Sequence, residues 1–72
     1  MAKVEKIRIK DEFVTLGQFL KLADLIGSGG EAKFFLKENK VLVNKEEDQR
    51  RGRKLYDKDI IETAGKVFEI CR

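Results

Sequence analysis

The segment Gly27-Ser28-Gly29-Gly30 separates two runs of apolar residues with helical spacing, and it constrains the fold more than any other feature. Apolar residues recur every three or four positions before it, which predicts an amphipathic helix over residues 16–26. After it, Phe35 and Leu36 belong to a second stripe, whose helix is predicted to end near Asn39. Because glycine is a poor helix former, the chain should turn back here. We expect a two-helix hairpin.

Capping patterns mark both predicted helix starts. Thr15 with Gln18 fits the capping box of the first helix, and Ser28 with Glu31 fits that of the second. Gly27 is expected to take the left-handed conformation after the first helix. Helix N-termini flanked by glycine can also receive phosphate groups. Capping is the favoured role for Ser28 and Glu31, because the Glu31 carboxylate would repel a phosphate.

Short β patterns flank the helices. Residues 4–9 alternate between apolar and polar types, which predicts a strand with one buried face. Turn-forming residues at 57–59 and 64–65 separate the later apolar pieces. These pieces are residues 41–43, 54–56, 60–61 and 67–70. The predicted class is α+β, with the helix hairpin packed on one face of a small, mainly antiparallel sheet.

The size of the chain predicts one domain over residues 1–72, with a core held by packing alone. Cys71 is the single cysteine, so no intramolecular disulfide can form, as expected in a reducing cytosol. No apolar run approaches the roughly 18 residues that span a membrane, and the first residues lack a signal-peptide pattern. We expect a cytoplasmic protein that makes no membrane contact.

The six residues 49–54 hold a cluster of positive charge: Arg50, Arg51, Arg53 and Lys54. No acid lies among them, although the whole chain has 16 basic and 13 acidic residues and a net charge of only +3. Such a cluster repels itself unless an anionic partner neutralises it, and guanidinium groups match phosphate oxygens. A nucleic-acid contact is the favoured interpretation, and a solvated hairpin tip is the alternative.

A lysine stripe is predicted on the second helix. Lys33, Lys37 and Lys40 are spaced four and three positions apart, so they line up on one face, opposite the apolar stripe. Lys21 on the first helix is a secondary candidate contact. A solvated helix face would give the same pattern. For one polyanion to engage both groups, this stripe and the arginine cluster must share one outward surface.

Residues 15–61 resemble the RNA-binding domain of ribosomal protein S4, also called the alpha-L RNA-binding motif. The pattern consists of a leucine-bearing first helix, a serine turn leading into alanine and a basic residue, a Val-x-Val-Asn strand and an acidic turn. Here these features are Leu16–Leu20, Ser28 to Lys33, Val41 to Asn44 and Asp57 to Ile60. The chain is most similar to small stand-alone bacterial members that share the Ser-Gly-Gly turn.

The resemblance implies binding to structured RNA through the helices and the following hairpin, and the expected partners are ribosomal or transfer RNA and the ribosome. Ser28 and Lys33 match family positions at the turn and in the second helix, and both are expected to contact RNA. Two departures stand out. Gly29 replaces an arginine common after the turn serine, so the arginine cluster is expected to carry more of the binding. Lys45 replaces the glycine that follows the Val-Asn pair, which suggests a longer hairpin than a two-residue turn.

Aromatic residues are expected mainly in the core: Phe13, Phe19, Phe34, Phe35 and Phe68. Phe34 is the candidate exception, since it and Phe35 cannot both face fully inward. Tyr56 lies next to the basic cluster and could stack on a base. With few free rings, recognition should depend on RNA shape and phosphate positions.

Catalysis has little support in the sequence. The chain has no histidine, one terminal cysteine, no phosphate-binding loop and no metal-ligand spacing, so no enzyme activity, cofactor or small-molecule substrate is expected. Two alternatives to RNA binding remain. One is a helix-turn-helix DNA binder, which the lack of base-reading side chains in the second helix disfavours. The other is a protein-interaction module on a ribosome-associated or replication protein.

Overall fold

The computed structural model describes residues 3–72. Its strands are β1 (Val4–Arg8), β2 (Phe13–Thr15), β3 (Leu42–Val43), β4 (Glu46–Glu47), β5 (Lys54–Tyr56), β6 (Ile60–Thr63) and β7 (Lys66–Cys71). Its helices are α1 (Leu16–Leu22) and α2 (Ala32–Glu38), and a single 3₁₀ turn, Gly29–Glu31, leads into α2. Within the described residues, no helix is long and apolar enough to cross a membrane.

The strands form one larger sheet and one small ribbon. The larger sheet has the order β1-β7-β6-β3-β4, and only the β1–β7 pair is parallel. The ribbon pairs β2 with β5 in antiparallel fashion. Two helices with a mainly antiparallel sheet confirm the α+β class predicted from the sequence.

One face of the larger sheet supplies much of the core. Ile61 lies opposite Val43 on one side and Phe68 on the other, so the three side chains share a face, and all are fully buried. The helices cover this face. Phe19 of α1 meets Phe68 edge-on, with ring centroids 5.2 Å apart. These two rings are among the largest side chains in the core, and aromatic side chains bury about 150–250 Å² each.

Helix α1 begins as predicted and ends earlier. The Thr15 hydroxyl accepts from the Gln18 backbone N–H at 3.3 Å, and the Gln18 side chain accepts from the Thr15 N–H at 3.2 Å, which confirms the capping box. The helix stops at Leu22, so the prediction of a helix to residue 26 was wrong. Asp24 takes the left-handed conformation, with φ of 60°.

The end of α1 is a Schellman motif. The Leu25 N–H donates to the Leu20 carbonyl at 2.9 Å, and the Asp24 N–H donates to the Lys21 carbonyl at 3.1 Å. Leu25 then packs against the core beside the helix. The left-handed position therefore belongs to Asp24, and its assignment to Gly27 was wrong: aspartate tolerates this conformation better than most residues do.

The second capping box is absent. Ser28 precedes the 3₁₀ turn without a side-chain capping bond, and the Glu31 carboxylate instead accepts from the Gly27 N–H at 3.0 Å. The Glu31 N–H, which the serine hydroxyl would have capped, instead donates to the Ser28 carbonyl at 3.1 Å within the 3₁₀ turn. The predicted end of α2 is confirmed, because Asn39 is its C-cap.

The β3–β4 hairpin turns through only two residues. Val43 pairs with Glu46, and both Asn44 and Lys45 have positive φ, 51° and 71°. The expectation of a longer hairpin was wrong, because lysine here adopts the conformation for which glycine is usually selected. Asn44 fixes the turn: its Oδ1 accepts from the Ile60 N–H at 2.9 Å.

Strand β1 is confirmed, but its predicted buried face is incomplete. Val4 is exposed and Ile7 is only partly buried, since β1 forms the outer edge of the larger sheet. Ile9, just beyond the strand, is buried, and its N–H donates to the Cys71 carbonyl at 2.7 Å. The predicted turn at residues 64–65 is also confirmed, with positive φ at both positions.

Candidate nucleic-acid interface

The three arginines of the basic cluster lie in a loop that connects the two sheets, and Lys54 is the first residue of β5. Residues 48–53 connect β4 of the larger sheet to β5 of the ribbon, so the cluster is not at the tip of a hairpin, as the sequence had suggested. The loop is tied to the start of α1. The Leu16 N–H donates to the Arg53 carbonyl at 2.7 Å, and the Gly17 N–H donates to the Arg51 carbonyl at 3.0 Å.

These bonds decide what the start of α1 can do. The N–H groups of Leu16, Gly17 and Gln18 all have partners within the protein, so they are not available to receive a phosphate. An added Cβ on Gly17 would lie 3.5 Å from the Arg51 carbonyl oxygen and 3.8 Å from the Ala32 Cβ. Gly17 therefore marks the point where α1, the loop and α2 meet.

Asp48 is the internal partner of two of the arginines. Its carboxylate accepts from Arg50 Nε at 3.1 Å and Arg50 Nη2 at 2.8 Å, from the Arg50 backbone N–H at 3.0 Å, and from Arg53 Nη1 at 2.8 Å. The Arg50 side chain, followed by its backbone N–H and Arg53, holds the pKa of Asp48 well below its usual range, although burial opposes this. The same contact raises the pKa of Arg50.

This pairing corrects the sequence argument for the cluster. Asp48, which is only 8% exposed, already balances one of the two positive charges of Arg50 and Arg53 within the protein. The Arg50 side chain is 74% exposed and could still reach a ligand, whereas that of Arg53 is 29% exposed. Arg53 is thus first a structural residue of the loop.

A β-turn explains why Arg51 differs from its neighbours. The Arg53 N–H donates to the Arg50 carbonyl at 3.1 Å, so Arg50 and Arg53 are the first and fourth residues of the turn. These positions come together at the base of the turn, beside Asp48. Arg51 and Gly52 occupy the two central positions. Arg51 takes part in none of the ion pairs found in residues 3–72.

Arg51 lines two adjoining grooves. In the first it faces Lys21 of α1, with Gln18 and Gly29 nearby. In the second it faces Lys33 and Lys37 of α2. We call the surface formed by Lys21, Lys33, Lys37 and Arg51 the basic groove surface. None of these four side chains belongs to an ion pair of the described chain.

Some of the predicted arginine and lysine residues therefore do share one outward surface, as binding to a single polyanion requires. Arg51 from the loop and Lys33 and Lys37 from α2 line one groove, and Lys21 joins them through the neighbouring groove. That these side chains contact RNA stays a prediction.

The other predicted residues have different surroundings. Lys40 follows the C-cap of α2 and lies 4.0 Å from the Glu47 carboxylate, with both side chains exposed. Lys54 places its ammonium group 4.8 Å from the centre of the Phe13 ring. Ser28 is exposed next to Gly29 at the mouth of the first groove, without lining that groove itself.

Two positioning residues were missed at the level of sequence. Gln49 Nε2 donates to the Leu36 carbonyl at 2.8 Å and the Asn39 carbonyl at 3.3 Å, which ties the loop to the end of α2. This contact spans distant positions, and no local pattern signals it. Asp48 did leave a signal, because an aspartate two residues before an arginine can accept from that residue's backbone N–H.

The aromatic residues divide into buried and exposed sets. Phe19 and Phe68 are fully buried, as expected, and Phe34 is the exposed exception that the sequence suggested. The expectation that Phe13 is a core residue was wrong. Phe13 is 37% exposed on the outer face of the β2–β5 ribbon, and its ring centroid lies 5.9 Å from that of Tyr56.

Comparison with known proteins identifies the family of this chain. Residues 7–71 match the family model described as S4 domain, and the chain belongs to the S4 domain family. The family expected from the sequence is confirmed. A protein of Bacillus subtilis (strain 168) named "Probable ribosome maturation protein RlbA" is 64% identical over 59 residues, which cover 82% of this chain and 83% of that protein. No solved structure matches the chain.

Proposed function

We propose that this domain is a non-catalytic RNA-binding protein that binds structured ribosomal RNA during maturation of the ribosome. Membership of the S4 family supports RNA binding, and the name of the Bacillus subtilis relative supports ribosome maturation as the process. The proposed site is the basic groove surface, with Arg50 at its margin. A role on the ribosome implies a cytoplasmic protein.

The observation that carries this proposal is the convergence of unpaired cations from three segments. Lys21 comes from α1, Arg51 from the loop, and Lys33 and Lys37 from α2. Held together without acids to pair with, these groups repel one another, and a phosphate backbone would relieve that repulsion. Each phosphate neutralised should add about 0.7–0.9 to the slope of log affinity against log salt.

The groove favours recognition of RNA shape over base sequence. Two glutamines, Gln18 and Gln49, offer amide groups near Arg51, and glutamine can read base edges. Both amides already serve the fold: the Gln18 oxygen accepts from Thr15, and the Gln49 nitrogen donates to carbonyls at the end of α2. The charged groups that remain are suited to phosphates, whose arrangement depends on RNA shape.

The test is a salt titration of RNA binding with a matched pair of variants. Fluorescence anisotropy would measure the affinity for stem-loops of ribosomal RNA, with transfer RNA and duplex DNA as competitors. Arg51→Ala removes a groove cation. Lys66→Ala removes an equal charge at the start of β7, where the lysine is exposed and lines none of the grooves described above.

We expect Arg51→Ala to lower the salt slope by about 0.7–0.9 and Lys66→Ala to leave it nearly unchanged. Equal losses in both variants would mean that binding follows net charge alone, and the assigned surface would be wrong. Preference for duplex DNA would overturn the RNA assignment. If transfer RNA binds more tightly than the ribosomal stem-loops, the target is transfer RNA and the assignment to ribosomal RNA is wrong. Cleavage or modification of the RNA during incubation would contradict the non-catalytic role.

A further inference from the structure

A third groove continues the basic groove surface on the far side of Lys21. It lies between α1 and the segment that connects β1 to β2, and its volume is about 680 Å³. It shares Gln18 and Lys21 with the first groove, so the two are contiguous. Its size falls within the roughly 300–1,000 Å³ of typical small-ligand sites.

The walls of this groove include two large apolar side chains that the fold leaves partly exposed. Leu22, the last residue of α1, is 54% exposed, and Phe13 is 37% exposed. Phe13 points outward because its neighbour Val14 takes the inward position on β2. Lys54 and Tyr56 contact the Phe13 ring from the paired strand and hold it in place.

Positive charge surrounds these apolar walls. Arg8, Lys10 and Lys21 line the groove, and Asp11 is the one acid that lines it with them. Arg8 and Lys10 take part in none of the ion pairs of residues 3–72. A partly exposed aromatic residue beside unpaired cations suits a ligand that is flat and apolar on one side and anionic on the other, which is the chemistry of a nucleotide.

We propose that this groove binds an unpaired nucleotide of the same RNA, in the single strand that continues from the stem-loop on the basic groove surface. The base packs against Phe13 and Leu22, and the adjoining phosphates lie near Lys10 and Arg8. The proposal rests on the proposed function, because continuity with that surface and the matching charge identify the occupant as RNA. It extends the contact surface to the N-terminal strand.

The first test compares two RNA probes: a ribosomal stem-loop, and the same stem-loop with a short unpaired extension. For the wild-type protein we expect the extension to tighten binding at least about fivefold, the lower end for one base stacked on an aromatic ring. Phe13→Ala should abolish this gain, and Phe13→Trp should keep it. Lys10→Ala should lower the salt slope for the extended probe alone, while Lys66→Ala should lower it for neither.

The second test reads the contact directly. The chain has no tryptophan, so Phe13→Trp introduces a single fluorescent indole at the groove. We expect the extended probe to quench it and the stem-loop alone to leave it bright. Phe34→Trp is the matched control, because Phe34 is exposed beside a separate depression lined by Leu25 and Glu38. Its fluorescence should not respond.

The outcomes separate this inference from the function on which it rests. If the stem-loop binds through Arg51 but the extension neither tightens binding nor quenches the indole, the inference is overturned and the proposed function stands. If the stem-loop itself does not bind, both are overturned. Should Phe13→Ala fail to fold, as circular dichroism would reveal, Lys10→Ala and the indole still decide the question.

Discussion

The base and the tip of the β-turn over residues 50–53 give the same residue type two different roles. At the base, Arg50 and Arg53 bind Asp48. At the tip, Arg51 faces the grooves and has no ion-pair partner among the described residues. Three arginines that look alike in the sequence thus divide into two that shape the loop and one that the loop presents.

The division shows that local charge density is a poor measure of what a surface can bind. Asp48 neutralises part of the charge of the cluster, and its hydrogen bonds orient the turn that carries Arg51. The lysines that complete the basic groove surface come from helices distant in sequence. Stability and binding should therefore respond to different members of the cluster.

The largest effect is expected from Asp48→Ala. The change removes the acceptor of four hydrogen bonds and leaves two arginines facing each other at the base of the turn. We expect a loss of about 2 kcal/mol in the free energy of unfolding, or about 10 °C in the melting temperature of a domain of this size. Urea and thermal unfolding measure it. A loss below about 0.5 kcal/mol, the range of ordinary surface substitutions, would contradict the structural role.

The next effect is a crossed pattern between two neighbouring arginines. Arg53→Ala should lower stability by about 1 kcal/mol, because Asp48 loses one charged partner. Arg51→Ala should change stability by less than about 0.5 kcal/mol, since Arg51 forms no ion pair within residues 3–72. Unfolding curves measure both variants. For RNA binding per folded molecule, we expect Arg51→Ala to cause the larger loss. Equal effects of the two variants on both stability and binding would contradict the separate roles of the base and the tip of the turn.

Acid should weaken the base of the turn selectively. The pKa of Asp48 lies below its ordinary value of 3.8 in the folded state, so its stabilising contribution is complete above that value and is lost as the pH falls toward the folded pKa. At pH 3 the loss attributable to this group should be about 1 kcal/mol. The measurement is the unfolding free energy at pH 7 and pH 3, in the wild type and in Asp48→Asn. If the two proteins lose the same amount, Asp48 is not the titrating group.

The smallest effect should come from Lys40. Its contact with Glu47 is long, 4.0 Å between exposed groups, so Lys40→Ala should change stability by less than about 0.5 kcal/mol. It lines neither groove of the basic groove surface, so its loss should also reduce the salt slope of RNA binding less than Lys37→Ala does. An equal reduction by both variants would extend the interface past the end of α2.

The sequence predicted the features that depend on near neighbours. Thr15 and Gln18 are three residues apart, and their capping box could be predicted because both partners belong to one helical turn. The end of α1 could not be predicted in this way, because the apolar repeat continues through Leu25 while the backbone has already left the helical conformation at Asp24. Leu25 reaches the core through a Schellman motif, which satisfies the same pattern of burial without a helix.

In the candidate site, too, the features set by near neighbours could be predicted and those set by distant contacts could not. The lysine face of α2 follows from helical spacing, and Lys33 and Lys37 do lie together. Which arginine joins them depends on Asp48 and on the bond from Gln49 to the Leu36 carbonyl, 13 residues away. No pattern within one segment contains that information. The exposure of Phe13 was equally hidden, because an alternating strand does not reveal which face its partner will cover.

The position of β7 inside the larger sheet has a consequence for synthesis of the protein. Residues 66–71 separate β1 from β6 and bring Phe68 to the core. Val4 pairs with Val67, which is 63 positions later in the chain, so β1 has no neighbouring strand until that residue has been synthesised. Native pairing of β1 is therefore closed to the nascent chain until residues 66–71 have left the ribosomal exit tunnel, and β1 and one edge of β6 emerge unpaired, where a chaperone could shield them.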